Sequence, residues 1–277
     1  MTATGCETAG VPGVGVHPPL IAEDFPIAVC WSPKSGCTTM LRWFLFHNGL
    51  LAESEAHHWW PHLYRMNVLC ARKGYYQQCR QILAERTRFV IKVVRDPARR
   101  AVSNFLHLLT QAVDRPDDPG WRAVQAWRRD VGMQGEEAVS FEQFMLYIVS
   151  PRRPGDFFDL HLAPQWCAEQ DPAVHALIPL ENLTTHLRDL ERQFSLASSP
   201  LELLSQSTHH HPAAEGHGWP GEAARFVVRR EALRTLGAPP PRIFLDDCMR
   251  QLIRTAYPQD HVAYGHLYAG GAQTAAA

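Results

Sequence analysis

Apolar positions along this chain follow two periods, a short one suited to strands and a longer one suited to helices. Pro26–Trp31 is an apolar run of strand length, and Thr39–Asn48 carries apolar residues on a helical period that stops at Gly49. Arg88–Val94 alternates and is rich in β-branched residues, which predicts a second strand. That strand runs into a helix: Asp96 suits the cap, Pro97 the first position, and Ala101, Val102, Phe105, Leu106 and Leu109 the buried face. Val174–Ile178 predicts a third strand. The order is strand, loop, helix; more helices; strand, loop, helix; a helical insertion; strand; terminal helices. Such alternation predicts an α/β fold, a mainly parallel sheet flanked by helices in a single domain. Ligands bind these sheets beyond the C-terminal strand ends, where both strand-to-helix loops begin.

The first loop, Ser32-Pro-Lys-Ser-Gly-Cys-Thr-Thr39, places a lysine, small residues and hydroxyls before a helix start. Unpaired backbone N–H groups and the positive end of the helix dipole favour an anion there. Lys34, Thr38 and Thr39 add charge and hydroxyl donors. A loop for a nucleoside triphosphate with magnesium needs its lysine after the second glycine, whereas Lys34 precedes Gly36. The second loop opens with Arg95, and Ser103 follows in the second turn of the next helix. At about 1.5 Å rise per residue, the arginine and the serine hydroxyl can converge on one group.

Pro33-Lys34-Ser35-Gly36-Cys37-Thr38-Thr39 resembles the 5′-phosphosulfate loop of sulfotransferases that use 3′-phosphoadenosine 5′-phosphosulfate (PAPS), closest to the carbohydrate sulfotransferase branch. Arg95-Asp-Pro-x-x-Arg-x-Val-Ser103 resembles the 3′-phosphate element of the same family. Later segments are similar as well: His161-x-x-Pro-Gln165, Glu181-Asn-Leu183, and Tyr257-x-x-Asp260 with Tyr264. The resemblance implies a P-loop-type fold. It also implies PAPS as co-substrate, held by Lys34, Ser35, Gly36, Cys37, Thr38, Thr39, Arg95 and Ser103. Cys37 is a packing or backbone position in that family, not a nucleophile. The implied reaction is transfer of a sulfuryl group to a hydroxyl of a carbohydrate or glycoconjugate acceptor. A phosphoryl transferase, or a catalytically silent nucleotide-binding protein that keeps only the phosphate grips, are the alternatives.

In-line attack on sulfur needs cations for the leaving bisphosphate and a base for the nucleophile. Lys34 is the expected leaving-group stabiliser. The base belongs to the cluster Glu53-Ser-Glu55-Ala-His57-His58-Trp-Trp-Pro-His62, with His58 the first choice and His57, His62, Glu55 and Glu53 behind it. His161 and Gln165, together with His62, are expected to position the acceptor. No metal site is expected: Pro61 interrupts a helix between His58 and His62, and His209-His-His211 sit in a Pro/Gly-containing loop.

Composition narrows the field further. A formal net charge of −1 over 277 residues argues against a nucleic-acid binder. Seven cysteines without a Cys-x-x-Cys pair read as reduced thiols. Residues 1–20 are expected to be a disordered tail, 21–268 the folded domain and 269–277 a mobile tail. No apolar run reaches the length of a membrane span, and the expected compartment is the cytoplasm. Residues 112–137 form a polar insertion with Trp121 and Trp127, read either as an acceptor lid or as surface structure. Acceptor identity and oligomeric state stay open.

Overall fold

The computed structural model describes residues 17–115, 117–133, 138–151, 159–206, 227–228 and 239–268. The chain divides into two compact units, Met1–Val94 with Gln165–Ser207 and Arg95–Pro164 with Thr208–Ala277.

The first unit is a three-stranded parallel sheet in the order β1 (Ile27–Trp31), β2 (Phe89–Val94), β4 (Ala176–Pro179). The strands lie within a residue or two of their expected positions, because continuous apolar runs fit a sheet covered on both faces. Trp31 pairs with Val93, so β1 and β2 end side by side, and the Ser32–Gly36 loop leaves from that edge. Helices α1 (Cys37–His47), α2 (Leu51–His57), α3 (Pro61–Tyr64), α4 (Tyr75–Glu85), α8 (Leu183–Gln193) and α9 (Leu201–Leu204) belong to this unit, and a single π turn, Arg65–Leu69, follows α3. Met40, Leu41, Trp43, Phe44 and Leu45 of α1 are buried in the core around the sheet. β2 also carries Lys92, fully buried, whose ammonium pairs with Asp171, while the Asp171 carboxylate accepts from the Cys167 N–H at 2.7 Å. This partner is what makes a lysine tolerable inside the sheet.

The expected tail of residues 1–20 needs correction at its end. Leu20 makes an antiparallel bridge to Val29, the Tyr75 hydroxyl donates to the Pro19 carbonyl at 2.8 Å, and the His17 ring stacks on Trp31 at 4.5 Å. The outer edge of β1 offers unpaired backbone groups, and residues 17–20 cover part of it. Residues 1–16 and the expected tail at 269–277 lie outside the described residues, as do His209–His211.

The second unit has its own core, built on α5 (Pro97–Asp114), α6 (Pro119–Asp130), α7 (Phe141–Val149), α10 (Asp247–Ala256) and α11 (Pro258–Tyr264), with a two-stranded pair β3 (Val139–Ser140) and β5 (Val227–Val228). The expected cap of α5 is present: Asp96 accepts from the Arg99 N–H at 2.8 Å, and Pro97 takes the first position. Ala101, Val102, Phe105 and Leu109 are buried as the stripe requires, with Leu106 half-buried. Much of the polar insertion is α6, capped by Asp118, and Trp121 is core at 2 % exposure, so this ring is packing rather than lid. Arg100 is buried at 1 % and donates to the carbonyls of His161 and Ala163 at 3.1 and 2.8 Å. Tyr257, Asp260 and Tyr264, also buried, surround it electrostatically. The closing Tyr-x-x-Asp element is therefore an internal brace for Arg100.

Candidate active site

In the first unit the loop after β1 has the geometry of an anion cradle. Lys34 and Gly36 both have left-handed backbones, with φ of 66° and 76°. This turns the chain sharply enough for Gly36 to become the N-cap of α1, and no side chain caps that helix. The N–H groups of the first turn, at Cys37, Thr38 and Thr39, thus keep their donors for an anion. Lys34 is half-exposed beside them, and Thr38 and Thr39 are also half-exposed. The space behind the loop is tight: a Cβ on Gly36 would come within 2.6 Å of Leu180 Cδ1. The backbone donors and the lysine charge suit an anionic group such as a phosphosulfate.

Ser35 has a different job from its neighbours. It is fully buried, its N–H donates to the Ser32 carbonyl at 3.2 Å, and its hydroxyl donates to Gln165 Oε1 at 2.9 Å. The Ser32 hydroxyl reaches the same oxygen at 3.3 Å. Gln165, expected to position an acceptor, instead braces the loop from beneath, because its buried carboxamide supplies the acceptor that these two hydroxyls need. Burial pushes the Cys37 thiol up, and although the Lys34 and Arg65 charges and the Thr38 hydrogen bond oppose it, the thiol stays protonated.

The histidine cluster does not converge on one point. His57 is exposed and meets the Tyr64 ring edge-on at 5.7 Å. His58 Nδ1 accepts from the Trp60 N–H at 2.9 Å, which leaves the ring proton of the neutral imidazole on Nε2. His62 is buried, packs at 5.5 Å from the Trp31 ring, and brings Nε2 to 3.4 Å from the Thr38 hydroxyl. Of the three, His62 is the one with a hydrogen-bond contact to the loop.

In the second unit, Arg95 follows the end of β2 by one peptide bond, and Ser103 lies half-buried in the second turn of α5. His161 opens a short 3-10 turn, Leu160–Leu162, whose cap is Asp159. Asp159 Oδ1 accepts from the His161 N–H at 2.9 Å and lies 2.7 Å from the His161 ring Nδ1. Burial alone would raise the Asp159 carboxyl, but the two bonds from His161 outweigh it and hold it below the usual range.

Two residues lay outside the sequence reading. Arg65, in the π turn, is buried at 7 % with its guanidinium 4.9 Å over the Trp31 ring, and its charge acts on Cys37. No carboxylate pairs with it among the described residues, so a second cation faces the loop region without an internal counter-charge. Asp159 gave no sequence signal, because nothing in local spacing marks a capping aspartate as a histidine partner.

Among the described residues, no group of His, Cys, Asp or Glu has the arrangement a metal ion needs, and no helix is long and apolar enough to cross a membrane. A family model described as "Sulfotransferase family" matches residues 18–217, well over half of the chain. No curated protein and no solved structure matches it.

Proposed function

Since the chain belongs to the sulfotransferase family, we propose that it moves a sulfuryl group from PAPS to a hydroxyl of a carbohydrate or glycoconjugate acceptor. The observation that carries this reading is the loop from Lys34 to Thr39, two left-handed residues feeding an uncapped helix start beside a lysine. In this reading the N–H groups and hydroxyls of Thr38 and Thr39 hold the 5′-phosphosulfate. Lys34 neutralises the charge that builds on the departing phosphate oxygen, where a preorganised cation acts more strongly in the transition state than in the ground state. Arg95 and Ser103 take the 3′-phosphate. Gln165 and Ser35 keep the loop in shape rather than touching substrate.

Calorimetry with 3′-phosphoadenosine 5′-phosphate, adenosine 5′-phosphate and ATP with magnesium tests the donor. The 3′,5′-bisphosphate should bind at least tenfold tighter than the monophosphate, since charge-assisted contacts to a phosphate are strong. Arg95→Ala should remove most of that difference. Equal affinity for the two nucleotides would sink the assignment, and preference for ATP with magnesium would favour a phosphoryl transferase. Turnover of PAPS against a panel of sugar, glycan and phenolic hydroxyls then identifies the acceptor class; a protein that binds the bisphosphate but transfers to none of them is a silent nucleotide binder.

A further inference from the structure

We propose that Arg65 is a second cation of the phosphosulfate site, set beside the Lys34–Thr39 loop to hold the 5′-phosphosulfate of the co-substrate. The inference rests on the sulfuryl-transfer reading and adds to it a residue that belongs to neither phosphate motif.

The way this charge is buried sets it apart. Four lysine and arginine side chains are buried among the described residues: Lys92, Arg100, Arg128 and Arg65. Lys92 pairs with Asp171, Arg100 donates to the carbonyls of His161 and Ala163, and Arg128 donates to Gln125 Oε1 at 3.0 Å. Arg65, 7 % exposed, has its guanidinium carbon 4.9 Å over the Trp31 ring, while no described carboxylate pairs with it and its Nε is shut away from solvent without an acceptor. A cation–π contact offsets only part of the cost of taking a guanidinium out of water. The Arg65 charge acts on the thiols of Cys37 and Cys70 and on the Tyr75 phenol. Burial pushes all three of these groups up, so each keeps its proton near neutral pH and none is a counter-ion. A cation held in this way is matched to an incoming anion.

The position of the side chain says which anion, and every residue that fixes it lies in the first unit. Trp31 is the last residue of β1, and the loop begins at Ser32. His62 precedes Arg65 by three residues, and α3 runs directly into the π turn, so the two side chains share a helix face. Both pack on Trp31. The His62 ring lies 5.5 Å from the indole, and its Nε2 is 3.4 Å from the Thr38 hydroxyl. The face that carries Arg65 is therefore the one that touches the cradle. Cys37, on which the Arg65 charge acts, is the first residue of α1 and supplies one of the cradle N–H groups. The Cys70 N–H donates to the Arg65 carbonyl at 2.8 Å, five residues back rather than four, and widened turns of this kind recur at functional sites.

The chemistry suits a group with several oxygens. A guanidinium lying over a ring keeps its terminal N–H groups for acceptors at its edge, and that planar fork matches two oxygens of a phosphoryl or sulfuryl group. Lys34 meets the same group as a point charge, so the loop acts with two cations of different geometry. Arg65 takes no part in proton transfer.

Calorimetry on the full chain tests this with two probes, 3′-phosphoadenosine 5′-phosphate and adenosine 3′-phosphate, which lacks the 5′ anion. Arg65→Met should bind the bisphosphate about tenfold more weakly and the 3′-phosphate within about twofold of wild type. Arg65→Lys, which keeps the charge but not the fork, should fall between wild type and Arg65→Met. Thermal melts separate a ligand-binding cation from a structural prop. Because its charge is buried without a counter-ion, ligand-free Arg65→Met should melt at or above the wild-type temperature. In turnover, KM for PAPS should rise about tenfold in Arg65→Met while KM for the acceptor stays within about twofold. Unchanged bisphosphate affinity, an equal loss for both nucleotides, or an Arg65→Met melting temperature several degrees below wild type would overturn the assignment while leaving sulfuryl transfer intact. A rise confined to the acceptor KM would also overturn it, and would give the charge to an anionic acceptor instead. A wild type that binds neither nucleotide and transfers nothing would overturn the parent reading, and the role of Arg65 with it.

Discussion

Gly36→Ala offers a quantitative test of the cradle. The backbone there has φ of 76°, a region in which an L side chain costs about 1–2 kcal/mol relative to the right-handed one. The new Cβ would also meet Leu180 Cδ1 at 2.6 Å. That atom is the end of a flexible side chain and can move aside, so the backbone term dominates. The free variant can relieve it by leaving the left-handed region, which turns the loop N–H groups away from the anion. Binding must then restore the strained form, and 1–2 kcal/mol corresponds to an affinity for the 3′,5′-bisphosphate about five- to thirtyfold weaker. Gly49→Ala is the internal control. Its φ is 67°, nothing lies within 4 Å of its added Cβ, and it sits at the far end of α1. It should lower the melting temperature by a similar amount, roughly 2–8 °C for a chain of this size, without weakening the bisphosphate. Calorimetry and a thermal melt on both variants decide the matter. Unchanged affinity in Gly36→Ala, or equal weakening in Gly49→Ala, would refute the claim that this loop's backbone holds the anion.

Three further outcomes follow from the same contacts. Lys34→Ala should lower kcat at saturating PAPS by about a hundredfold, more than it weakens bisphosphate binding; an unchanged kcat would make Lys34 a binding residue only. Arg65→Met keeps an apolar stem over Trp31 but removes the charge, and should weaken the bisphosphate about tenfold, with calorimetry as the check and unaltered affinity as the refutation. Glu191 is buried, and burial alone would raise its carboxyl. Bonds from Ser199, Trp43 and Arg188 outweigh this and hold it at about 2, while burial keeps its neighbour His47 on the neutral side. Because the folded-state value is depressed, this stabilisation is complete above the ordinary glutamate range and is lost as pH falls through it towards about 2. Melts of wild type between pH 6 and pH 3 should therefore lose about 2 kcal/mol that Glu191→Gln, already destabilised at pH 7, does not lose again; parallel curves would refute it.

The three strands, the caps of α5 and the family were legible in the chain itself, because each is written in contiguous residues. Strand periodicity, Asp96-Pro97 at a helix start and Pro33-Lys34-Ser-Gly-Cys-Thr38 act within a few positions of one another. The same logic explains which contacts the sequence could not show. Ser35 reads as a phosphate ligand from its place in the motif, yet Gln165, 130 positions away, takes its hydroxyl and turns it inward. His58 and His62 look alike in sequence, and only the fold commits one to the Trp60 N–H and buries the other against Trp31. Arg65 carries no motif; it gains its place because a π turn sets it over the last residue of β1. Asp159 and His161 stand two apart, but only the folded turn brings the Asp159 carboxylate to 2.7 Å from the His161 ring Nδ1. Local patterns specify elements and backbone cradles, whereas the proton accounting of a buried polar group depends on partners that only tertiary packing brings within about 3 Å.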